Sequence, residues 1–519
     1  MPLAIELAAA RLPQLGVAGL AAAIEARFDA LDHGRRGVAP RHQTLRAALH
    51  WSVSLLSDDE RRVFARLGVF ASGFSLEMAQ AVVADAALDR WAVLDLLAAL
   101  IDRSLVSVDG LYAPRYRLLE TARAYALECL AATPAGDDIR ARHAGACRRY
   151  FAQACDLSAN ADASRDAWRE ALLPDADNAR SACAWAREHD PETAVALATS
   201  LASVFGSQLP LERAALLASV RALLGAGIAP PVQAQWYLEA SLERAGPQPA
   251  LALAHAQRAA ELFRGLGDRL GHYRALCVQL YCEPAQAALP DATQQALMNE
   301  LLALEDPHWS SAVRAEGANA AACWYSARGQ FDSAIEWRRR NLALQAQAGS
   351  SWLAIVAHSN LLDSLLAAGR VDEAIATGTA LLTQLQGTRQ LAVLPVIRLN
   401  LAAAHLSLGD TQAARALAQA SLPQALRLGW LPYWADALAL LAALEQRPRA
   451  AALLLGYADA AYAAIATARE VNEARAVERA AALCRASLGQ AAFAQRLREG
   501  ARLSDADVAP LAFATDDAA

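Results

Sequence analysis

The chain has 519 residues, is 55% apolar but only 6% aromatic, and carries a net charge of −6. Its length exceeds one ordinary core, so several units are expected, and the dominance of Ala and Leu favours helix. The acidic balance argues against a nucleic-acid coat, the lack of an apolar run of about 18 residues argues against a membrane span, and eight scattered cysteines without a C-x-x-C pair argue against a zinc site or disulfide framework. No basic n-region leads into an apolar stretch. These features predict a cytoplasmic protein with reduced, buried thiols.

Residues 1–32 read as helical, with Pro2 in the first turn, where its missing N–H has no intrahelical partner. Leu3, Ile5, Leu7, Leu12 and Leu15 give that stretch an apolar side in need of something to pack against. A basic linker with Gly34, Gly37 and Pro40 sets residues 1–40 apart. Residues 41–135 carry a different set of signals. Leu45, Leu49, Trp51, Leu55 and Leu56 fit one helix face, and Ser57-Asp58-Asp59-Glu60 is a capping-box pattern opening a helix to about Leu67. Ser75 opens another, through Val83, and RWAVLDLLAALIDRSLV is a third with a broad apolar face. Asp109-Gly110 then separates two β-prone runs, a hairpin signal. With a further helix from about Leu119 to Ala131, the pattern is a winged helix–turn–helix.

From residue 138 onward the chain reads as helix throughout. Residues 138–235 form an opening helical region, 236–500 a repeat region and 501–519 a tail. Gly329-Gln330-Phe331-Asp332-Ser333-Ala334 is matched by Gly369-Arg370-Val371-Asp372-Glu373-Ala374 and by Gly409-Asp410-Thr411-Gln412-Ala413-Ala414. The copies lie about 40 residues apart, somewhat longer than a tetratricopeptide unit of about 34. Asn319, Asn360 and Asn400 keep step with them, and Gly246 reads as a degenerate earlier copy. Each copy predicts a helical hairpin: Gly ends the first helix in a left-handed turn, and the small Ala lets the second lie close. The expected fold is all-α, a tetratricopeptide-like solenoid with a small winged-helix domain carrying one β-hairpin.

No lysine occurs, so all 48 basic residues are arginines. A Walker A loop needs a Lys to reach the β/γ-phosphates, so this chain cannot carry one. There is no G-x-S-x-G elbow, the ten histidines are dispersed, and no catalytic, metal or cofactor constellation is found. On the groove-facing helix of the winged unit, Arg90 and Arg103 cancel Asp95 and Asp102. Trp91, Leu94, Leu97, Leu100 and Ile101 look suited to burial, which predicts a packing role. Direct DNA contact through Arg115 and Arg117 on the wing is the alternative, because phosphate neutralisation supplies most DNA affinity. In the repeats, Arg338, Arg339 and Arg340 after Trp337 could line a groove for an acidic ligand, and Trp430 and Trp434, with Tyr433, could floor a pocket. Stacking between repeats is the other reading of those aromatic residues.

Several stretches together resemble one family. MPLAIELAAAR, RHQTLRAALHWSVSLLSDDERRVFARLGVFASGFSLEMA, VLDLLAALIDRSLV and YRLLETARAYALECL are similar to the region after the ATPase core in bacterial STAND-class (NB-ARC-like) transcriptional regulators. ALLPDADNARSACAWA looks like the helix opening their sensor region, and AALLLGYADAAYAAI with LGQAAFAQRLREGARLS resembles their C-terminal end. The resemblance implies a switch in which nucleotide (ATP or ADP) closes an ATPase against the winged helix and the repeats read a protein or small-molecule signal. It also implies that Met1 is an internal methionine behind a P-loop ATPase, that Pro2 belongs to the G-[LM]-P-L-A motif near the adenine, and that DNA is bound by a domain this chain does not carry. Where related plant proteins have a nucleotide-sensing Met-His-Asp, this chain has Leu118-Leu119-Glu120. The expectation is a non-enzymatic sensing and effector portion of a regulator, able to oligomerise and without a membrane partner. A stand-alone repeat adaptor is the alternative.

Overall fold

The computed structural model describes residues 46, 49–110, 113–160, 165–206, 209–244, 248–282, 290–349, 351–387, 393–465 and 468–515. Pro2, the 1–40 segment and the Gly246 copy lie outside them. The chain divides into two compact units, Met1–Leu157 with Ala167–Glu239, and Ser158–Asp166 with Ala240–Ala519.

In the first unit, α1 (Asp58–Leu67) starts with the expected capping box: Glu60 N–H donates to Ser57 Oγ at 3.2 Å, and Ser57 N–H donates to Glu60 Oε2 at 2.8 Å. Ser75 caps α2 (Leu76–Val83) and Asp89 caps α3 (Arg90–Asp102). Strands β1 (Ser107–Asp109) and β2 (Arg115–Arg117) pair antiparallel in the register Val108 opposite Tyr116. Phe74 adds a backbone bridge to Tyr116, with both N–H···O distances 2.9 Å. Helix α4 (Glu120–Ala131) completes the winged unit. Its core is Val63, Phe64, Leu67, Phe70, Phe74, Val82, Val93, Leu97, Leu100 and Ala126, all buried. Gly68 lets α1 approach α4, since a Cβ there would stand 2.9 Å from Leu127 N.

Helices α5 (Gly136–Asn160), α6 (Arg165–Leu172), α7 (Ala176–His189), α8 (Pro191–Phe205), α9 (Pro210–Val220) and α10 (Pro230–Arg244) follow. Proline opens three of them, the position where its lost N–H costs nothing. Helix α8 is buried nearly all round, through Val195, Leu197, Ala198, Leu201, Ala202, Val204 and Phe205.

The second unit is a run of antiparallel hairpins. Helices α11 (Pro249–Leu266) and α12 (Arg269–Tyr281) pair, α13 (Asp291–Leu304) follows, and the three repeat copies are α14 (Ser311–Ala327) with α15 (Phe331–Gln347), α16 (Ser351–Ala367) with α17 (Val371–Gln384), and α18 (Leu394–Ser407) with α19 (Thr411–Arg427). Gly329, Gly369 and Gly409 turn each pair at φ +68°, +76° and +80°. Ala334, Ala374 and Ala414 are buried between the paired helices, as the sequence pattern requires. A fourth hairpin, α20 (Leu431–Leu444) with α21 (Pro448–Ala464), escaped the sequence pattern because Gln446 takes the left-handed position at φ +61°. An earlier one turns at Gly267, φ +70°. Helix α22 (Val471–Leu488), α23 (Gln490–Gly500) and α24 (Asp505–Phe513) close the chain. The expected tail is therefore partly helix, held where Arg447 donates to the Leu511 and Ala512 carbonyls at 3.0 and 2.7 Å.

Candidate functional site

In the winged unit the stripe Val93, Leu97, Leu100 faces the core, which turns Trp91, Asp95, Ala98 and Asp102 outward on α3. Trp91 is 73% exposed, correcting the expectation that it is buried. The reason is spacing: residues four and three apart share a face, and Trp91 belongs to the opposite stripe from Val93. Arg90 is tied to Gln80 and Arg103 forms an ion pair with Glu60, so this outer face presents an indole and two carboxylates. Arg90, exposed at the edge of this face and bonded only to a neutral amide, is the one guanidinium left there for phosphate among the described residues, against two carboxylates.

The wing is clamped from below. Both nitrogens of the Arg115 fork donate to Asp175, at 2.9 and 2.8 Å, and one also donates to the Gly73 carbonyl at 2.7 Å. Asp175 is 2% exposed. Asn178, on the first turn of α7, accepts from the Ala71 and Ser72 N–H groups at 2.8 and 3.1 Å and donates to the Gly73 carbonyl at 2.9 Å. The PDADN motif is thus a staple holding the loop before α2 and the wing on the start of α7. Arg115 is consumed by it, and Arg117 stays exposed.

The three arginines of the first repeat diverge, as consecutive helical residues about 100° apart must. Arg338 is buried, donating to Asn319 Oδ1 at 2.5 Å and lying 3.4 Å from Cys323 Sγ. Arg339 pairs with Glu373, and Arg340 pairs with Glu305 while lying over the Trp337 ring. They form inter-helix ties and no common groove. Trp434 is 1% exposed and Trp430 half-buried, both packed in the core of α19–α21, so the stacking reading of these aromatic residues describes them.

The structure instead assembles a polar cluster that spacing along the chain cannot reveal. Asp363 on α16 receives Asn472 of α22 at 2.7 Å, 109 residues away in sequence. Asp436 on α20, 1% exposed, holds Arg469 at 2.7 and 3.0 Å, and Arg469 also reaches Asp459 at 2.8 Å. Burial, then the neighbouring Asp363, pushes the Glu473 carboxyl up to about 7. In the first unit His143 and Cys147 lie 3.6 Å apart, but burial takes the imidazole down to about 4 and the thiol up to about 12, so both are neutral and neither is a nucleophile or base in waiting. Among the described residues no group of three His, Cys, Asp or Glu could hold a metal, and no helix is long and apolar enough to cross a membrane.

The class these features define is an α-helical repeat protein carrying a winged helix–turn–helix domain. Residues 56–131 match the family described as a winged helix-turn-helix domain. Proteins of Mycobacterium tuberculosis and Mycobacterium bovis, provisionally named HTH-type transcriptional regulators, are 37% identical over 292 residues, 53% of this chain and 32% of theirs. An uncharacterized Mycobacterium tuberculosis protein is 43% identical over 146 residues, 28% of this chain and 37% of its own. The chain spans about a third of the length of the curated relatives it matches. Among solved structures, the STAND protein with a tetratricopeptide repeat sensor from Pyrococcus horikoshii aligns with a TM-score of 0.34 at 12% identity, covering 82% of this chain and 72% of that one. The winged helix–turn–helix match and the relatives' naming as transcriptional regulators agree with the regulator part of the resemblance carried by the sequence motifs.

Proposed function

We propose that this chain is a sensing and effector portion of a transcriptional regulator: its repeats take up a protein or small-molecule signal, and its winged helix transmits that signal by packing, not by reading DNA. By itself the chain hydrolyses no nucleotide, for want of a P-loop lysine; the resemblance makes an NTPase module of the same regulator the recipient of the signal. The observation that carries this reading is the Asp175–Asn178 staple. A wing whose forked cation is consumed by a buried carboxylate is built to move with its neighbours, and the outer face of α3 sets two carboxylates against the single guanidinium of Arg90.

Two measurements test it. Fluorescence anisotropy with a short random-sequence duplex at low salt should show no binding. Salt-dependent binding that Arg115→Ala/Arg117→Ala abolishes would overturn the packing role. In the source cell, an Asp175→Ala/Asn178→Ala variant present at normal abundance should change the transcript profile as loss of the gene does. A profile indistinguishable from the parent would remove the coupling role.

A further inference from the structure

Helix α22 meets the repeats along a polar seam. Asn472 Nδ2 donates to the Asp363 carbonyl oxygen and to its Oδ1, at 3.1 and 2.7 Å. About a turn further on, Arg475 donates to the carbonyl of Ala367, the last residue of α16, at 2.8 Å. After another turn, Arg479 donates to the carbonyls of Leu406 and Ser407, which end α18, at 3.0 and 3.1 Å. Last-turn carbonyls have no intrahelical donor and carry the negative end of the helix dipole, so they suit guanidinium groups. Three side chains on one helix thus read the ends of two successive repeats.

The two halves of α22 are held differently. Its second half is anchored by Ala480, Ala481 and Cys484, buried in the core of α20 and α21. Its first half contributes no fully buried apolar side chain, Arg475 and Arg479 are exposed, and Glu473 Oε2 is buried without a hydrogen-bond partner. Glu473 faces Asp363 from α16, Asp436 from α20, Tyr462 from α21 and Arg469 from the stretch before α22. Asp459 also pairs with Arg469, and Arg338 acts on Asp363, so four carboxyl groups share two guanidiniums, and their crowding disfavours the docked position when all are ionised. Water can replace each seam bond at small net cost.

We propose that the first half of α22 is a displaceable occupant of a docking site formed by the ends of α16 and α18, and that the ligand of this site is a helical segment presenting arginines one turn apart. The proposal rests on the reading of the repeats as the sensing element. The cis occupant defines the chemistry: amide to Asp363, guanidinium to each free helix end.

The test uses a fluorescent peptide copy of residues 468–488 and hydrogen exchange of the whole chain. In the Arg475→Ala/Arg479→Ala variant, amides 472–479 should exchange at least about tenfold faster, and the peptide should bind at least about tenfold more tightly than to the parent chain. A peptide with both arginines replaced should not bind. Equal exchange, or equal affinity of parent and variant, would overturn the proposal. If exchange also rises across α14 and α15, the variant has lost its fold and Glu473→Gln decides instead: at about pH 8 it should slow exchange at 472–479, and no change there refutes the displaceable occupant. No transcript is read in these measurements, so a null result here, beside the expected change of profile in the Asp175→Ala/Asn178→Ala variant, removes the displaceable occupant and leaves the sensing role.

Discussion

Gln446 sits where four other hairpin turns of the array, at Gly267, Gly329, Gly369 and Gly409, place glycine. Its left-handed backbone, φ +61°, lets its N–H reach the Ala443 carbonyl at 3.2 Å and that of Arg447 the Ala442 carbonyl at 2.9 Å, the same pair of bonds that Gly409 and Asp410 make. A side chain in that conformation costs about 1–2 kcal/mol, so Gln446→Gly should stabilise the chain by roughly 0.5–1 kcal/mol once about 0.5–1 is subtracted for the extra entropy of an unfolded glycine; a thermal melt with an unchanged or lower midpoint would contradict this. Glu60 carries the opposite load. It closes the capping box and, 6% exposed, pairs with Arg103, so Glu60→Ala removes a cap and strands a half-buried guanidinium. The expected loss is about 2–4 kcal/mol by denaturant titration, with Glu60→Gln intermediate. The cap was legible because it is local, four residues in a fixed pattern. The Arg103 pair was not, since it joins residues 43 apart across two helices. Trp91 was misjudged for a related reason: an apolar residue on a helix predicts burial only once its stripe is known.

At the scale of elements, close approach and buried charge set the behaviour. Helices α21 and α23 cross at two glycines: a methyl on Gly456 would stand 2.1 Å from the Leu497 carbonyl oxygen, and one on Gly500 2.0 Å from that of Leu453. Backbone cannot yield as a side chain can, so Gly500→Ala should cost at least about 2 kcal/mol and loosen both helices in hydrogen exchange. Two of the stretches that carried the family resemblance are thereby explained as the halves of one crossing. Helix α22 should respond to pH through Glu473. Its carboxyl rises from the ordinary value of 4.5 to about 7 in the docked state, so docking favours the protonated form. Protection at 472–479 should therefore be greatest below the ordinary carboxyl range and fall as pH rises through about 7, while Glu473→Gln should be flat over that window. Repeat hairpins and the winged unit could be read from the sequence because glycine turns, caps and the Asp-Gly signal act over a few residues. The α22 seam and the Asp175–Asn178 staple could not, because each joins segments about a hundred residues apart whose meeting is decided by packing.

In the whole molecule, each hairpin of the array packs chiefly on its neighbours, so damage should spread along the chain by adjacency. Ala374, wholly buried between α16 and α17, is a fit place to test this. Ala374→Leu should overpack that hairpin, at a cost of about 1–3 kcal/mol, and raise exchange in α16–α19 well before α1–α4; a uniform rise over all helices would contradict nearest-neighbour coupling. One material runs through both units. Arg66 on the Val83 carbonyl, Arg169 on that of Val204, Arg447 on Leu511 and Ala512, and Arg475 and Arg479 on the ends of α16 and α18 all fasten a guanidinium to the last turn of a helix. A guanidinium is a rigid planar fork of five donors, so one side chain can hold two carbonyls of a helix end at once, as Arg447 and Arg479 do, and keep a direction as well as a charge. The chain is thus pinned by brackets and not by point contacts, and replacing any of these arginines with lysine would keep the charge and lose the angle at which the two helices are held.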